Sequence, residues 1–319
     1  MFYKDRKQVF ADPTVDFAFK RIFGTEKYKA ATIGLLNSII EGVNIVDVEF
    51  LNTELGRENA DDKNCIIDVL AADRNGNRYI VEMQNAKQPT FLQRMVYYTS
   101  KVIAHLDGEV GIQEYNLRST YAIAFLNFNA EAITEISGRY HLHYRTIEMK
   151  CKNKLPSSPE YHFFDLKEFA RIFRKSSGKI TNGTDYWLSL LIGSKEMDAM
   201  PDWAEGDKAY KAYFEASAVS NFTPQETIKY DKDMMTERDR INSINYARQE
   251  GREEGEQAGL QKGLQKGLQK GLKEGERKGK AEGKAESQRE IASALKAKGV
   301  DVGTISVCTG LSLDDVAKL

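Results

Sequence analysis

The chain has 319 residues, 41% of them hydrophobic, enough for one large domain with an appendage or for two domains with a proper core. A formal net charge of −1 excludes a global basic field, so a nucleic-acid partner has to meet a local basic patch. Cys65, Cys151 and Cys308 lie far apart with no CxxC spacing, which argues against a disulfide framework or a zinc site and for a reducing cytoplasm. The opening MFYKDRKQVF carries no apolar core and no long apolar run occurs, so neither a signal peptide nor a membrane span is expected.

In chain order, residues 14–24 and 26–41 read as two helices split at Gly24-Thr25, with Leu35, Leu36, Ile39 and Ile40 at helical spacing. Residues 43–52 read as a strand and 53–64 as a polar loop carrying Glu54, Arg57, Glu58, Asp61, Asp62 and Lys63. A hairpin follows: 65–72, a turn over Asp73–Arg74–Asn75–Gly76–Asn77, and 79–84. Pro89 precedes a helix over 90–106. Strands are expected over 120–128, 141–149 and 161–166, and helices over 167–174, 184–191, 207–219 and from Pro224 onward. This order predicts an α/β fold, a mixed central sheet flanked by helices.

The hairpin carries the chemistry. Each of its apolar strands is broken by an acid, Asp68 in the first and Glu82 in the second, with Gln84 on the same face as Glu82. A carboxylate in an apolar strand is costly to bury unless it is paired or binds a cation. Adjacent strands can bring Asp68 and Glu82 together at one end of the sheet. Like charges that close call for a cation between them, and all-oxygen ligation favours Mg²⁺ or Mn²⁺. The competing reading, solvent-facing acids on an edge hairpin, is disfavoured because both strands are too apolar for an edge. His141 and His143 stand two apart on an expected strand with no third ligand in sight, and read as structural or solvent-facing. No GxSxG, HExxH or phosphate-cradling P-loop occurs, and no organic cofactor is expected.

An acid, a turn, and then Glu-x-Lys on the next strand is the signature of the PD-(D/E)xK nuclease superfamily. The segment Asp68-Val69-Leu70 with Val81-Glu82-Met83-Gln84 resembles its Rpn group of recombination-promoting nucleases, often labelled transposases. Asp16-Phe17-Ala18-Phe19-Lys20-Arg21-Ile22-Phe23-Gly24 upstream and Gln93-Arg94-Met95-Val96-Tyr97-Tyr98 downstream extend the likeness over residues 12–240. The resemblance implies a restriction-endonuclease-like fold, Mg²⁺ or Mn²⁺ held by Asp68 and Glu82 with help from the backbone carbonyl of Val81 or Met83, and hydrolysis of phosphodiester bonds in DNA. It places Asp16 as a third acid, against a plain helix N-cap or first-turn acid. It makes Lys20, Gln93 and Arg94 candidate phosphate contacts, against a solvated helix face. Gln84 departs from the pattern: an amide can hydrogen-bond a water but cannot act as a general base. Its alternative role is a polar cap on the sheet end, and Lys20 or Lys63 are the lysines that could substitute.

Beyond the resemblance, nine glycines from Gly251 to Gly283 stand four apart. On a helix that spacing drifts about 40° per repeat, so the glycines spiral. Each costs about 0.8–1.0 kcal/mol against Ala, roughly 7–9 kcal/mol for the set, so a lone helix is marginal and a partner helix is expected. Residues 291–319 read as a short helix, a turn and a short helix capped by Ser312. The expected organisation is a nuclease core over 1–170, a helical extension over 171–247, a Gly-period-four helical or flexible tail over 248–288, and a helix-turn-helix-like module over 289–319. The expected function is a metal-dependent DNA endonuclease associated with recombination or mobile elements, in a homodimer. The alternative is a catalytically weak scaffold on the nuclease fold that binds DNA or oligomerises.

Overall fold

The computed structural model describes residues 8–55, 65–107, 117–131, 136 and 138–319; most of the expected polar loop, Lys63 included, lies outside them. The chain divides into two compact units, Met1–Arg238 and Asp239–Leu319.

In the first unit, α1 (Asp16–Phe23), a 3₁₀ turn (Glu26–Tyr28) and α2 (Lys29–Ile39) precede the sheet. Strands β1 (Val48–Phe50), β4 (Val69–Asp73), β5 (Arg78–Gln84), β6 (Thr120–Leu126), β8 (Glu160–Asp165) and β7 (His141–Arg145) lie side by side in that order. β4 pairs antiparallel with β1 and β5, β6 pairs parallel with β5 and β8, and β7 returns antiparallel on β8. β2 (Glu54–Leu55) and β3 (Cys65–Ile66) make a separate short pair. This is the expected mixed sheet flanked by helices, as in the PD-(D/E)XK fold.

Every residue of β5 and β6 is buried, because both strands are central and covered on both faces. One face packs on Phe19, Ile22, Phe23, Leu35 and Leu36 of α1 and α2, and on the helices α4 (Leu166–Lys175), α5 (Gly183–Gly193) and α6 (Lys208–Ser217). The other face packs on α3 (Phe91–Asp107) through Phe91, Met95 and Val102. The first turns of α7 (Pro224–Ala297) belong to this unit: Tyr230 joins Val15 and Phe17, and its hydroxyl accepts from the Asp12 amide at 2.8 Å.

Four expected strands prove shorter or broken; those over 120–128 and 141–149 end at Leu126 and Arg145. The strand over 43–52 reduces to Val48–Phe50. The strand over 65–72 breaks at Ile67–Asp68, since Ile67 donates its amide to Thr53 O at 2.9 Å while Val69 onward pairs with β5. Glu54 and Leu55, expected in a loop, are therefore strand. The expected turn is present, tied by Asp73, whose Oδ1 accepts from Asn75 N at 2.8 Å and Asn77 N at 2.9 Å. Gly76 sits there at φ +80, a left-handed value that costs glycine little.

In the second unit, α7 continues to Ala297 and is followed by α8 (Val302–Thr309) and α9 (Leu313–Lys318). Ala292, Ile305 and Val316 form its small core. Ser312 caps α9 as expected, accepting from Asp315 N at 3.1 Å. The glycine repeat is helical, and no outside atom comes within 4 Å of where a Cβ would stand on any of its glycines. Among the described residues no helix is long and apolar enough to cross a membrane.

Candidate active site

β4 and β5 end their ladder at Val69 and Val81, and the next pair in register is Asp68 and Glu82. There the side chains replace the ladder. Glu82 Oε1 accepts from the Asp68 amide at 3.1 Å, and Asp68 Oδ2 accepts from the Met83 amide at 2.9 Å. Each carboxylate is thus fastened to the strand that carries the other. Glu82 is only 4% exposed. Burial, then the charge of Asp68, pushes its carboxyl above the ordinary range. Burial likewise raises Asp68, with the Met83 amide and Lys20 offsetting part of the rise.

α1 supplies the nearest cation. Its apolar residues Phe19, Ile22 and Phe23 enter the core, which fixes the rotation of the helix. Lys20 Nζ then stands 2.7 Å from Asp16 and 3.5 Å from Asp68. Burial opposes the charge on Lys20, but the bonds to Asp16 and Asp68 outweigh it and hold the ammonium above its ordinary pKa. Gly24 ends α1 against β4: a Cβ there would meet Lys20 O at 2.8 Å and Val69 Cγ2 at 3.3 Å. A side chain would push α1 off the strand next to Asp68. Asp16 is a first-turn acid, half exposed, joined to Asp68 through the Lys20 ammonium and close enough for its charge to add to the rise of the Asp68 carboxyl.

Gln84 is buried, and its amide is occupied at both ends. Nε2 donates to Ala86 O at 2.6 Å, and Oε1 accepts from Arg94 Nη2 at 2.7 Å. Arg94 also donates from Nη1 to Gln88 at 2.6 Å and lies over the rings of Phe91 and Tyr98 at 4.8 and 5.7 Å. Its charge falls near enough to Glu82 to offset part of that carboxyl's upward shift. Gln93, one residue earlier on α3, is exposed. Asp68, Glu82, Lys20 and Asp16 therefore gather around one point, and Gln84 and Arg94 form an adjoining pair.

A second cluster escaped the sequence reading. His141 and His143 have a third imidazole beside them, His162 on β8, and Glu160 lies two residues before it on the same face. The available signal was Glu160-x-His162 at the start of one expected strand, Glu160 lying one residue before it, with the same spacing as His141-x-His143 on another. Burial pushes His141 down to about 4 and His162 down to about 3.

No curated protein and no solved structure matches the chain. Residues 13–247 match the family model of the PD-(D/E)XK nuclease family transposases; they include the acids of the splayed hairpin, Lys20 and the Gln84–Arg94 pair, and the chain belongs to that family.

Proposed function

We propose that the chain is a metal-dependent DNA endonuclease of the recombination-promoting kind, cleaving phosphodiester bonds in connection with recombination or mobile elements. The observation that carries this reading is the reciprocal tie between the half-buried Asp68 and the buried Glu82, an acid pair whose charges the surrounding protein only partly compensates. The donor set fits Mg²⁺ or Mn²⁺. It is all oxygen, and each carboxylate keeps one oxygen outside the backbone ties, Asp68 Oδ1 and Glu82 Oε2. When bound, such an ion activates a water and polarises the phosphodiester.

The remaining roles fall to this chain's own residues. Asp68 and Glu82 hold the ion. Lys20 stands where an ammonium can hydrogen-bond the attacking water or a phosphate oxygen, the task of the lysine missing at position 84. Asp16 positions Lys20. Gln84 aims Arg94, whose guanidinium is a phosphate contact, with Gln93 free to add a second. The domain limits expected from sequence, 1–170, 171–247, 248–288 and 289–319, remain our division of labour between cutting, packing and assembly. All three cysteines are free, which suits the reducing cytoplasm where we place the protein.

The test is cleavage of supercoiled plasmid by the full chain in Mg²⁺, in Mn²⁺ and in chelator. Nicking that needs the metal supports the proposal. An intact plasmid in both metals, with DNA still bound, overturns it in favour of the scaffold reading. That reading draws on Gln84, whose amide is tied to Ala86 and Arg94 and cannot act as a general base.

Three substitutions at two positions separate the roles. Lys20→Met is expected to lower cleavage by ~10²-fold, the scale of a lost acid–base or electrostatic group. Gln84→Ala is expected to cost less, about tenfold, through a loosened Arg94. Gln84→Lys sets an ammonium against Arg94 where an acceptor is needed, so it is expected to lower thermal stability and not to raise activity. Initial rates and melting temperatures of the three variants check this; a faster Gln84→Lys enzyme would return the water-orienting role to position 84.

A further inference from the structure

The chain has four histidines, and three of them, His141, His143 and His162, meet at the β7–β8 edge of the sheet. We propose that His143, Glu160 and His162 form a second metal site, selective for a nitrogen-preferring transition ion such as Zn²⁺. One ligand atom from each of the three lies within 4.8 Å of the others. In the register, Val81, Ile123, His162 and His143 form one row across the sheet. Side chains alternate, so this row faces away from the side on which Glu82 lies. The site is therefore separate from the acid pair.

The second observation is an orphaned atom. His162 is 2% exposed, and its Nε2 is buried with no hydrogen-bond partner among the described residues. A buried nitrogen left in that state is costly unless something else takes it up. The other ring nitrogen, Nδ1, is 3.0 Å from His141 Nε2. With the proton on His162 Nδ1, donated to His141, the lone pair of His162 Nε2 is available to a metal. A histidine ligand held through its far nitrogen is the usual outer support of such sites. His141 is thus a positioning residue and the other three are ligands.

His143 Nε2 and Glu160 Oε2 are hydrogen-bonded to each other at 2.7 Å, and an ion taken up by both would replace the proton between them. Lys154 engages the other carboxylate oxygen, Glu160 Oε1, so an ion would compete with His143 alone for Oε2. The cluster lines a cavity of about 300 Å³ that Glu41, Arg145 and Lys154 also border. Two cations at its rim disfavour a hard ion held by charge alone, whereas imidazoles make directed bonds to Zn²⁺. Two histidines and a carboxylate leave the fourth tetrahedral position to a water, for which the cavity has room. Bound there, the ion ties the edge strand β7 to β8 and stabilises the sheet.

The test is titration of the full-length, chelator-stripped protein with Zn²⁺ by calorimetry, with melting temperature read in parallel. The expected result is one equivalent of Zn²⁺ that Glu82→Ala and Asp68→Ala both retain, and a melting temperature that rises with Zn²⁺ by mass action. His143→Ala is expected to weaken that equivalent at least ~10-fold, and His141→Ala about 10-fold as an outer support. Co²⁺ in place of Zn²⁺ should give the visible absorption of a four- or five-coordinate ion, lost in His143→Ala. His143 has 35% of its side chain exposed, against the buried His162, so its variant is expected to fold even if a His162→Asn protein does not. Zinc binding that is absent from the wild type, or unchanged in His143→Ala, or lost only in the Asp68 and Glu82 variants, overturns the proposal.

Discussion

Asp68→Ala and Glu82→Ala are each expected to remove metal-dependent DNA cleavage, a loss of ~10²–10³-fold or more, while leaving a folded protein. Either change leaves one carboxylate, and one carboxylate holds a hard cation poorly. Each also unfastens one of the two ties, Asp68 N to Glu82 or Met83 N to Asp68, so circular dichroism must accompany the plasmid assay. Wild-type rates in both variants would move the active site elsewhere. The same acids make a stability prediction of opposite sign. Burial raises the pKa of Glu82 in the folded chain. The folded state then holds a proton that the unfolded state has released, so stability falls as pH rises from the ordinary carboxylate range toward neutrality. Glu82→Gln keeps the shape and removes the titration. In chelator, it is expected to melt higher than the wild type at neutral pH and to show no gain near pH 4. Each unit of displacement corresponds to about 1.4 kcal/mol, and thus to several degrees at most for a chain of this size. Equal melting temperatures at both pH values would mean that Glu82 is not strained by its burial.

Deleting residues 249–319 is expected to convert a dimer to a monomer and to weaken DNA binding, while a folded unit with residual nuclease activity remains. Leu260, Leu264, Leu268 and Leu272 are 76%, 74%, 66% and 62% exposed along α7, beside glycines that meet nothing. A helix carrying nine interior glycines forgoes roughly 7–9 kcal/mol against alanine. We infer that a second copy of this helix covers the leucines and offsets that cost. Lys262, Lys266, Lys270, Lys273, Arg277, Lys278 and Lys280 add a basic stretch that can follow a phosphate backbone. Met1–Arg238 keeps its own core without these residues, so the truncated chain should fold. Light scattering on the two chains measures the subunit number, and salt-dependent DNA binding measures the basic stretch. Equal subunit numbers would make the repeat a basic spacer and not an assembly element.

The sequence alone carried the local features. Apolar runs interrupted by single acids marked β4 and β5 as interior strands, because solvent-facing strands alternate and these do not. Asp73 to Asn77 announced the turn, because left-handed backbone needs glycine. Ser312 announced its helix, because a hydroxyl there meets a free amide. Tertiary structure decided the rest. The break at Asp68 was not legible, since it arises when a carboxylate fifteen residues from Met83 takes that residue's amide in place of a ladder carbonyl. Lys20 and Lys63 were equal candidates in the sequence. Only the seating of α1 against Val69, which Gly24 permits, brings Lys20 to Asp68. Gln84 looked like a residue facing a water, and its engagement with Arg94 depends on the rotation of a helix ten residues away. The meeting of the histidines was not legible from their spacing alone. His143 and His162 are neighbours because two strands pair in one register, and register is set by long-range packing that spacing along a single strand does not contain.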